Sequence, residues 1–275
     1  MSTKYKTILG RSGELLAYFN QSGQNCITLS EAMKALGSEN KNTVTKLLHD
    51  MTQRGLLMRL KAGVFYIIPY DQDPNSFMPD WHLIAQYIVG DAKHYIGYYS
   101  AMQIHSLITQ PALKEQIVVN KQLTPNSIKI KDTEFQFIYH NEKHFFGSKK
   151  IFVDSFNKVN CSDLEKTIVD ALFKPDYAGG ISQIAKAIHK KKAELDFAKL
   201  GQYVHQFDSL SVSKRLGYIL ELLEVKDPLI ATLQSIKTNS YFSIEPSYPK
   251  SGRRLRRWNI LENIDPQSIL SPIHS

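Results

Sequence analysis

One stretch of the chain places amide, hydroxyl, amino and imidazole groups opposite a row of apolar residues. The apolar residues are spaced i, i+3, i+4 and i+7, which predicts a helix from Asn40 to Gly55 with one buried face. They are Val44, Leu47, Leu48 and Met51. The polar face carries Asn40, Lys41, Asn42, Thr43, Thr45, Lys46 and His49. Asparagine can pair with adenine, lysine with guanine or phosphate, and threonine with phosphate or a thymine methyl group. The pattern therefore predicts a helix that contacts the major groove of double-stranded DNA.

A basic hairpin follows this helix. Two runs typical of β-strands, Leu56–Leu60 and Val64–Ile68, surround a short turn that contains Gly63. Arg59 and Lys61 lie beside the turn, where they are predicted to contact the DNA backbone or minor groove.

A second basic patch lies near the C-terminus. It consists of Lys250, Arg253, Arg254, Arg256 and Arg257. These side chains could contact DNA phosphates, RNA or an acidic partner, or pair with acids of their own domain. Trp258, which follows them, is predicted to belong to the core.

No set of residues persuasively indicates catalysis, so the chain is not predicted to be an enzyme. Gly147-Ser148 is not followed by the Asp-x-Asp pair that would hold a metal, since Asp154 stands alone. Neither a phosphate-binding Gly-x-x-x-x-Gly-Lys motif nor a Gly-x-Ser-x-Gly nucleophile motif occurs. His140 and His144 lie in a region of strands and turns and are interpreted as surface residues. Neither a metal nor a cofactor is predicted.

The groove-contacting helix is predicted to belong to a winged helix-turn-helix domain covering residues 1–70. A first helix spans Ser12–Ser22, and a short strand spans Cys26–Thr28. Thr28 and Glu31 form a capping box at the start of a second helix, which Gly37 ends. The third helix and the hairpin complete the domain.

The rest of the chain is predicted to be a linker at 71–79 and a larger mixed α/β domain at 80–275. A helix at Asp80–Ile88 and another at Ser100–Leu107 precede a region of strands between 116 and 154. Helical periodicity returns between 162 and 237, and a last strand is predicted at Tyr241–Ile244. The fold class is therefore α+β.

Charge and composition fit a nucleic-acid-binding protein of the cytoplasm. The net charge is +8, and the first 70 residues hold nine Lys/Arg against four Asp/Glu. A basic surface favours polyanions such as nucleic acid. The two cysteines, Cys26 and Cys161, have neither disulfide-framework nor zinc-site spacing. There is no apolar run of the length that spans a membrane.

Several segments resemble the AbiEi-type antitoxins of abortive-infection, type IV, toxin–antitoxin systems. In the first domain these are Gly55–Arg59 and Gly63–Ile67. In the second they are Tyr95–Met102, Asp163–Leu172, Pro175 with Ala178–Ile181, and Arg215–Glu221. The likeness spans most of the chain. The resemblance to this family depends on the second domain, because many unrelated regulators have a first domain of this kind.

The resemblance implies a protein with two roles. The first domain would bind inverted repeats in its own promoter and repress transcription. The second would add to DNA binding and oppose a nucleotidyltransferase toxin encoded beside it, whether or not the two proteins touch.

Two alternatives remain open at this stage. The aromatic richness of residues 95–146 suggests a winged-helix transcription factor whose C-terminal domain senses a ligand. The second alternative is an enzyme that acts on nucleic acid and uses the C-terminal arginines as a clamp.

Overall fold

The computed structural model describes residues 6–155 and 157–273 and shows an α+β fold. The chain divides after Asp91 into two compact units. No helix in the described part of the chain is long and apolar enough to cross a bilayer.

The first unit, from residue 6 onward, contains four helices and a three-stranded antiparallel sheet. In chain order its elements are α1 (Gly10–Gln21), β1 (Cys26–Thr28), α2 (Leu29–Ala35), α3 (Lys41–Gln53), β2 (Leu57–Lys61), β3 (Val64–Ile67) and α4 (Trp81–Ile88). The strand order is β1-β3-β2. The predicted order of three helices followed by a hairpin is confirmed.

The core of this unit lies between α1, α3 and the sheet. Leu15 and Phe19 of α1 pack with Val44, Leu48 and Met51 of α3, and none of the five is more than 1% exposed. The predicted buried face of α3 is therefore confirmed at these three positions. Leu47 is only half-buried, because it lines an open depression with Leu9 and Gly10 at the start of α1.

Local hydrogen bonds explain where α2 and α3 begin. The hydroxyl of Thr28 accepts from the backbone N–H of Glu31 at 3.2 Å, and the Glu31 carboxylate accepts from the backbone N–H of Thr28 at 2.9 Å. This is the predicted capping box, which satisfies two backbone donors that the helix leaves free. Gly37 follows α2 with φ +57°, a backbone conformation that glycine adopts without strain.

The boundary between the units differs from the predicted one. The segment 71–79 and α4 belong to the first unit, not to a linker and a second domain. The ring of Phe77 lies 5.8 Å from that of Tyr66, and Lys61 Nζ donates to the carbonyl oxygen of Ile88 at 2.9 Å. Turn-forming composition suggested a linker, but Phe77 and α4 supply the apolar contacts that attach this segment.

The new boundary also changes the charge of the first unit. Residues 71–91 add four acids and no Lys or Arg, which lowers the net charge of the unit from +5 to +1. The acids are Asp71, Asp73, Asp80 and Asp91. Any attraction to a polyanion must therefore come from local basic groups rather than from the whole unit.

The second unit combines a six-stranded mixed sheet with a group of helices. The sheet strands are β4 (His94–Ile96), β5 (Lys114–Val119), β6 (Ser127–Ile130), β7 (Thr133–Tyr139), β8 (Ser148–Phe152) and β9 (Lys158–Ser162). Their order is β6-β7-β5-β4-β9-β8. The helices are α5 (Tyr98–Ile104), α6 (Leu164–Phe173), α7 (Ile181–Lys191), α8 (Phe197–Phe207), α9 (Leu210–Leu222) and α10 (Leu229–Ser235).

A small sheet and a last helix complete this unit. They are β10 (Phe242–Ser243), β11 (Arg253–Leu255), β12 (Ile260–Glu262) and α11 (Pro266–Leu270). Trp258 is 2% exposed and packs against Gly217 of α9, which confirms that it is a core residue. Its Nε1 donates to a carboxylate oxygen of Glu221 at 2.6 Å.

Candidate nucleic-acid interface

The polar face of α3 points away from the core of the first unit. Six of its seven predicted groove-contacting residues lie within the helix and are exposed: Lys41, Asn42, Thr43, Thr45, Lys46 and His49. Val44 and Leu48 face the core, and the six exposed residues lie on the opposite side of the helix, so one helix surface presents them together. Asp50 is the one carboxylate within α3, and two lysines outweigh it.

Asn40 is exposed, but its side chain already has a structural task. Its Oδ1 accepts from the backbone N–H of Thr43 at 3.1 Å, which caps the first turn of α3. The bidentate pairing with adenine that the sequence suggested needs that same oxygen. In this conformation the side chain of Asn40 caps the helix, and Asn42 is the exposed asparagine within α3.

A cleft between α3 and the β2–β3 hairpin brings three of the predicted residues together. It has a volume of about 150 Å³ and is lined by Leu29, Thr45, Leu48, His49, Thr52, Arg59, Gly63 and Phe65. The hydrophobic side chains form its apolar part, while Thr45, His49 and Arg59 supply donors and a positive charge. Thr52 also lines the cleft. It was not predicted, because the polar face inferred from the sequence ended at His49.

The hairpin turn explains the position of Arg59. Pairing between β2 and β3 shifts between Arg59 and Lys61, and Gly63 has φ +72°. The carbonyl oxygen of Gly63 accepts from the backbone N–H of Leu29 at 2.9 Å, which ties the turn to the start of α2. Arg59 is exposed, and its Nε lies 3.4 Å from the carbonyl oxygen of Lys61.

Lys61 does not accompany Arg59 into the cleft. Its ammonium group is half-buried and donates to the carbonyl of Ile88 at the end of α4. Burial lowers the pKa of Lys61, and Asp91 partly offsets that effect. A cation near the end of a helix is electrostatically favourable. Lys61 therefore holds α4 against the hairpin, whereas the sequence predicted a DNA contact.

The C-terminal basic patch is partly neutralised within its own unit. Arg253 pairs with Glu262 at 3.1 Å, and Arg257 pairs with Glu221 at 2.7 Å. The guanidinium of Arg254 lies 5.5 Å from the centre of the Tyr241 ring, a cation–π contact.

Two members of this patch are left for an external anion. Lys250 and Arg256 are exposed, and their side chains make no hydrogen bond or ion pair with the described residues. The alternative that these basic residues pair with acids of their own domain is therefore confirmed for Arg253 and Arg257.

A buried polar cluster in the second unit was not foreseen as a group. It consists of Tyr95, Tyr98, His140, Lys166 and Asp170, none of them more than 1% exposed. Tyr95 donates its hydroxyl to Asp170 at 2.9 Å and accepts from Lys166 Nζ at 2.9 Å. Lys166 Nζ also pairs with Asp170 directly.

His140 completes this cluster, so its interpretation as a surface residue is wrong. Its Nε2 lies 2.7 Å from the hydroxyl oxygen of Tyr98, and burial together with Lys166 lowers its pKa to about 2. The imidazole is therefore neutral in the folded protein. No side chain of the cluster reaches solvent, so in this conformation it supports the fold rather than meeting a substrate. Among the described residues no group of three potential ligands could hold a metal ion.

Comparisons with known proteins show a likeness in fold to a solved structure. No family model matches the sequence, and no curated protein matches it. The chain is similar in fold to the Rv2827c protein from Mycobacterium tuberculosis. The two chains are 13% identical, with a TM-score of 0.73, and the match covers 99% of this chain and 98% of that one. At this identity the likeness shows the fold alone, and function must be argued from the site.

Proposed function

We propose that the first unit is a winged helix-turn-helix that binds double-stranded DNA. In this proposal α2 and α3 form the helix-turn-helix, α3 enters the major groove, and the β2–β3 hairpin is the wing. The dimensions of the major groove admit one α-helix, and the residues on its outward face then meet base edges.

The observation that carries the proposal is the cleft shared by α3 and the hairpin. Thr45 and His49 come from the helix and Arg59 comes from the hairpin, yet all three line one cleft of about 150 Å³. A phosphate oxygen beside this cleft would meet the guanidinium of Arg59, a group well suited to bind phosphate. Lys41 and Lys46 add positive charge on the same helix surface, which supports binding to a polyanion although the unit as a whole is nearly neutral.

We further propose that the protein represses its own promoter and acts as an antitoxin. The support is the resemblance to the AbiEi-type antitoxins in the second unit. The predicted DNA target is a set of inverted repeats in the promoter, and the functional partner is a nucleotidyltransferase toxin encoded beside the gene. Lys250 and Arg256 are the basic side chains of the C-terminal patch available for further phosphate contacts.

DNA binding is tested with the full chain and a fragment of its own upstream DNA, by fluorescence anisotropy at several salt concentrations. Replacing Lys46 or Arg59 with Ala should weaken binding to all sequences and lower the salt slope by about one per lost phosphate contact. Asn42→Ala should cost about 1–3 kcal/mol on the specific site and leave the salt slope unchanged. Lys226→Ala, an exposed lysine of the second unit, is the matched control. Unchanged affinity and salt slope in all of these variants would refute the interface.

The antitoxin role needs a separate test in cells. Expression of the neighbouring nucleotidyltransferase should arrest growth, and co-expression of this protein should restore it. Rescue by a Lys46→Ala, Arg59→Ala variant that no longer binds DNA would separate the two roles. Failure of the wild-type protein to rescue would remove the antitoxin proposal and leave DNA binding untouched.

A further inference from the structure

The second unit contains an open cavity of about 450 Å³ that the proposed DNA interface does not use. It lies among the start of α5, the segment that leads into β5, and a short 3-10 helix at Pro175–Ala178. Sites for small molecules typically have volumes of about 300–1,000 Å³ and mostly apolar walls with a few polar groups. The volume falls within that range.

The walls of the cavity are mainly aromatic and aliphatic. Tyr99 and Tyr177 contribute rings, and Pro111 and Leu113 contribute aliphatic surface. The side chain of Leu113 is 87% exposed, although leucine is ordinarily among the most buried residues. A single exposed leucine needs no explanation by itself, but here it borders an apolar cavity, and a bound apolar ligand would cover it.

The two tyrosines are held in place before any ligand arrives. The ring of Tyr177 meets that of Tyr98 edge to face at 5.4 Å, and the backbone N–H of Tyr99 donates to the side-chain oxygen of Gln116 at 2.9 Å. Gly179 has φ +78°, and a Cβ at this position would lie 3.1 Å from the edge of the Tyr99 ring. A preformed wall lowers the entropic cost of binding a rigid ligand.

The cavity lining contains one lysine and one aspartate, and only the lysine forms a salt bridge among the described residues. Lys114 Nζ lies 3.5 Å from the carboxylate of Glu134, so its charge is partly compensated. The carboxylate of Asp176 is exposed and makes no hydrogen bond or ion pair with the described residues. Lys174 is close enough to interact with Asp176 electrostatically, and its Nζ lies 5.4 Å from the centre of the Tyr177 ring, so a cation is already held at this edge of the cavity. The lining therefore offers aromatic faces and an exposed carboxylate that no side chain pairs with at salt-bridge distance among the described residues, and both attract a cation.

We propose that this cavity binds a small planar aromatic molecule that carries a positively charged amine. The aromatic ring would lie against Tyr99, Tyr177 and Leu113, and the amine would donate to the carboxylate of Asp176. This binding site is independent of the proposed DNA contacts, and it gives a structural basis to the ligand-sensing alternative that the sequence left open.

The test uses two probes that share an indole ring and differ in charge. Binding of tryptamine and of indole-3-acetate to the full chain is measured by saturation-transfer NMR and titration calorimetry, without DNA. Tryptamine should bind more tightly than indole-3-acetate. Asp176→Asn should weaken tryptamine binding about tenfold, because it removes a charge-assisted hydrogen bond that solvent partly screens. Glu142→Gln, which neutralises an exposed carboxylate outside the lining, should leave binding unchanged.

A second variant tests the apolar wall without disturbing the fold. Leu113→Ser removes apolar surface from an 87% exposed residue without adding charge, so its thermal unfolding should match the wild-type protein while the affinity for tryptamine falls. Equal binding of both probes, binding of neither, or unchanged tryptamine affinity in Asp176→Asn would overturn the proposal. None of these outcomes bears on the proposed DNA interface.

Discussion

Neutralising Asp170 should destabilise the second unit severely, because the Lys166 ammonium would lose the buried carboxylate with which it pairs directly. Both side chains are fully buried. Burial lowers the pKa of Lys166, and Asp170 is the largest influence that raises it again. Removing one member of a buried pair typically costs about 3–5 kcal/mol, because the remaining charge is left uncompensated. For a domain of this size each kcal/mol corresponds to about 2–4 °C, so Asp170→Asn should lower the melting temperature by about 6–20 °C.

The surroundings of Lys166 indicate how to separate the charge effect from loss of packing. Its Nζ lies 5.0 to 5.2 Å from the ring centres of Tyr95, Phe146 and Phe207, which suit an apolar side chain as well as a cation. The double variant Lys166→Met, Asp170→Asn removes both charges and keeps an oxygen that can accept from the Tyr95 hydroxyl. It should therefore be more stable than Asp170→Asn alone, with a coupling free energy of about 0.5–3 kcal/mol.

Urea unfolding followed by near-UV circular dichroism and tryptophan fluorescence measures both quantities. Trp258 lies in the second unit and Trp81 in the first, so Trp81→Phe isolates the signal of the second unit. A loss below about 1 kcal/mol in Asp170→Asn would show that the pair is not what holds this core together. A double variant less stable than the single one would refute the argument about uncompensated charge.

Three smaller predictions concern other positions. Because the pKa of His140 is about 2 in the folded protein and 6.5 ordinarily, the unfolded chain binds more protons below pH 6.5, and stability falls as pH falls. Between pH 7 and pH 5 this group should cost about 2 kcal/mol, and urea unfolding of His140→Gln should lack that share of the pH dependence. In Gly217→Ala the new Cβ would lie 2.0 Å from a ring carbon of Trp258, so calorimetry should record a loss of about 1–3 kcal/mol and the Trp258 fluorescence should shift. Thr28→Ala removes the oxygen that caps α2 and should cost about 1 kcal/mol in urea unfolding, while Thr28→Ser should cost less.

Local signals in the sequence were sufficient for the first unit. The spacing of Val44, Leu48 and Met51, the pairing of Thr28 with Glu31, and the glycine in the hairpin turn each act over a few residues. Such signals predict the order of helices and strands without knowledge of the tertiary contacts. The boundaries of α1 and α3 lie within two residues of the expected ones.

Two inner strands of the second unit, β4 and β9, were missed for a physical reason. β4 has only three residues and β9 only five, and both lie between other strands in the sheet. The alternation of buried Val159 and Cys161 was the one available signal for β9. The helix predicted from Ser100 begins two residues earlier, at Tyr98, which has φ +52° and supplies one of the buried tyrosines.

Which charged side chains remain available depends on partners that come from distant parts of the chain. Lys61 binds a carbonyl 27 residues away, and Arg257 pairs with a glutamate 36 residues away. Lys166 and Asp170 are four residues apart, but only the fold brings Tyr95 and His140 to them. Residue type and spacing indicated which side chains can carry charge, whereas tertiary contacts decide which of them remain available.

The attachment of α4 by Lys61 determines where the chain can be cut for work on the isolated first unit. A fragment ending at Tyr70 would leave the Lys61 ammonium without its acceptor and would strip the Phe77 ring from Tyr66. Without the Ile88 carbonyl, the Lys61 side chain would be free to move toward the hairpin turn, where it would add a positive charge beside Arg59 that the native unit does not have. Binding constants measured on such a short fragment would then describe a more basic surface than the native one, so expression should extend through Asp91.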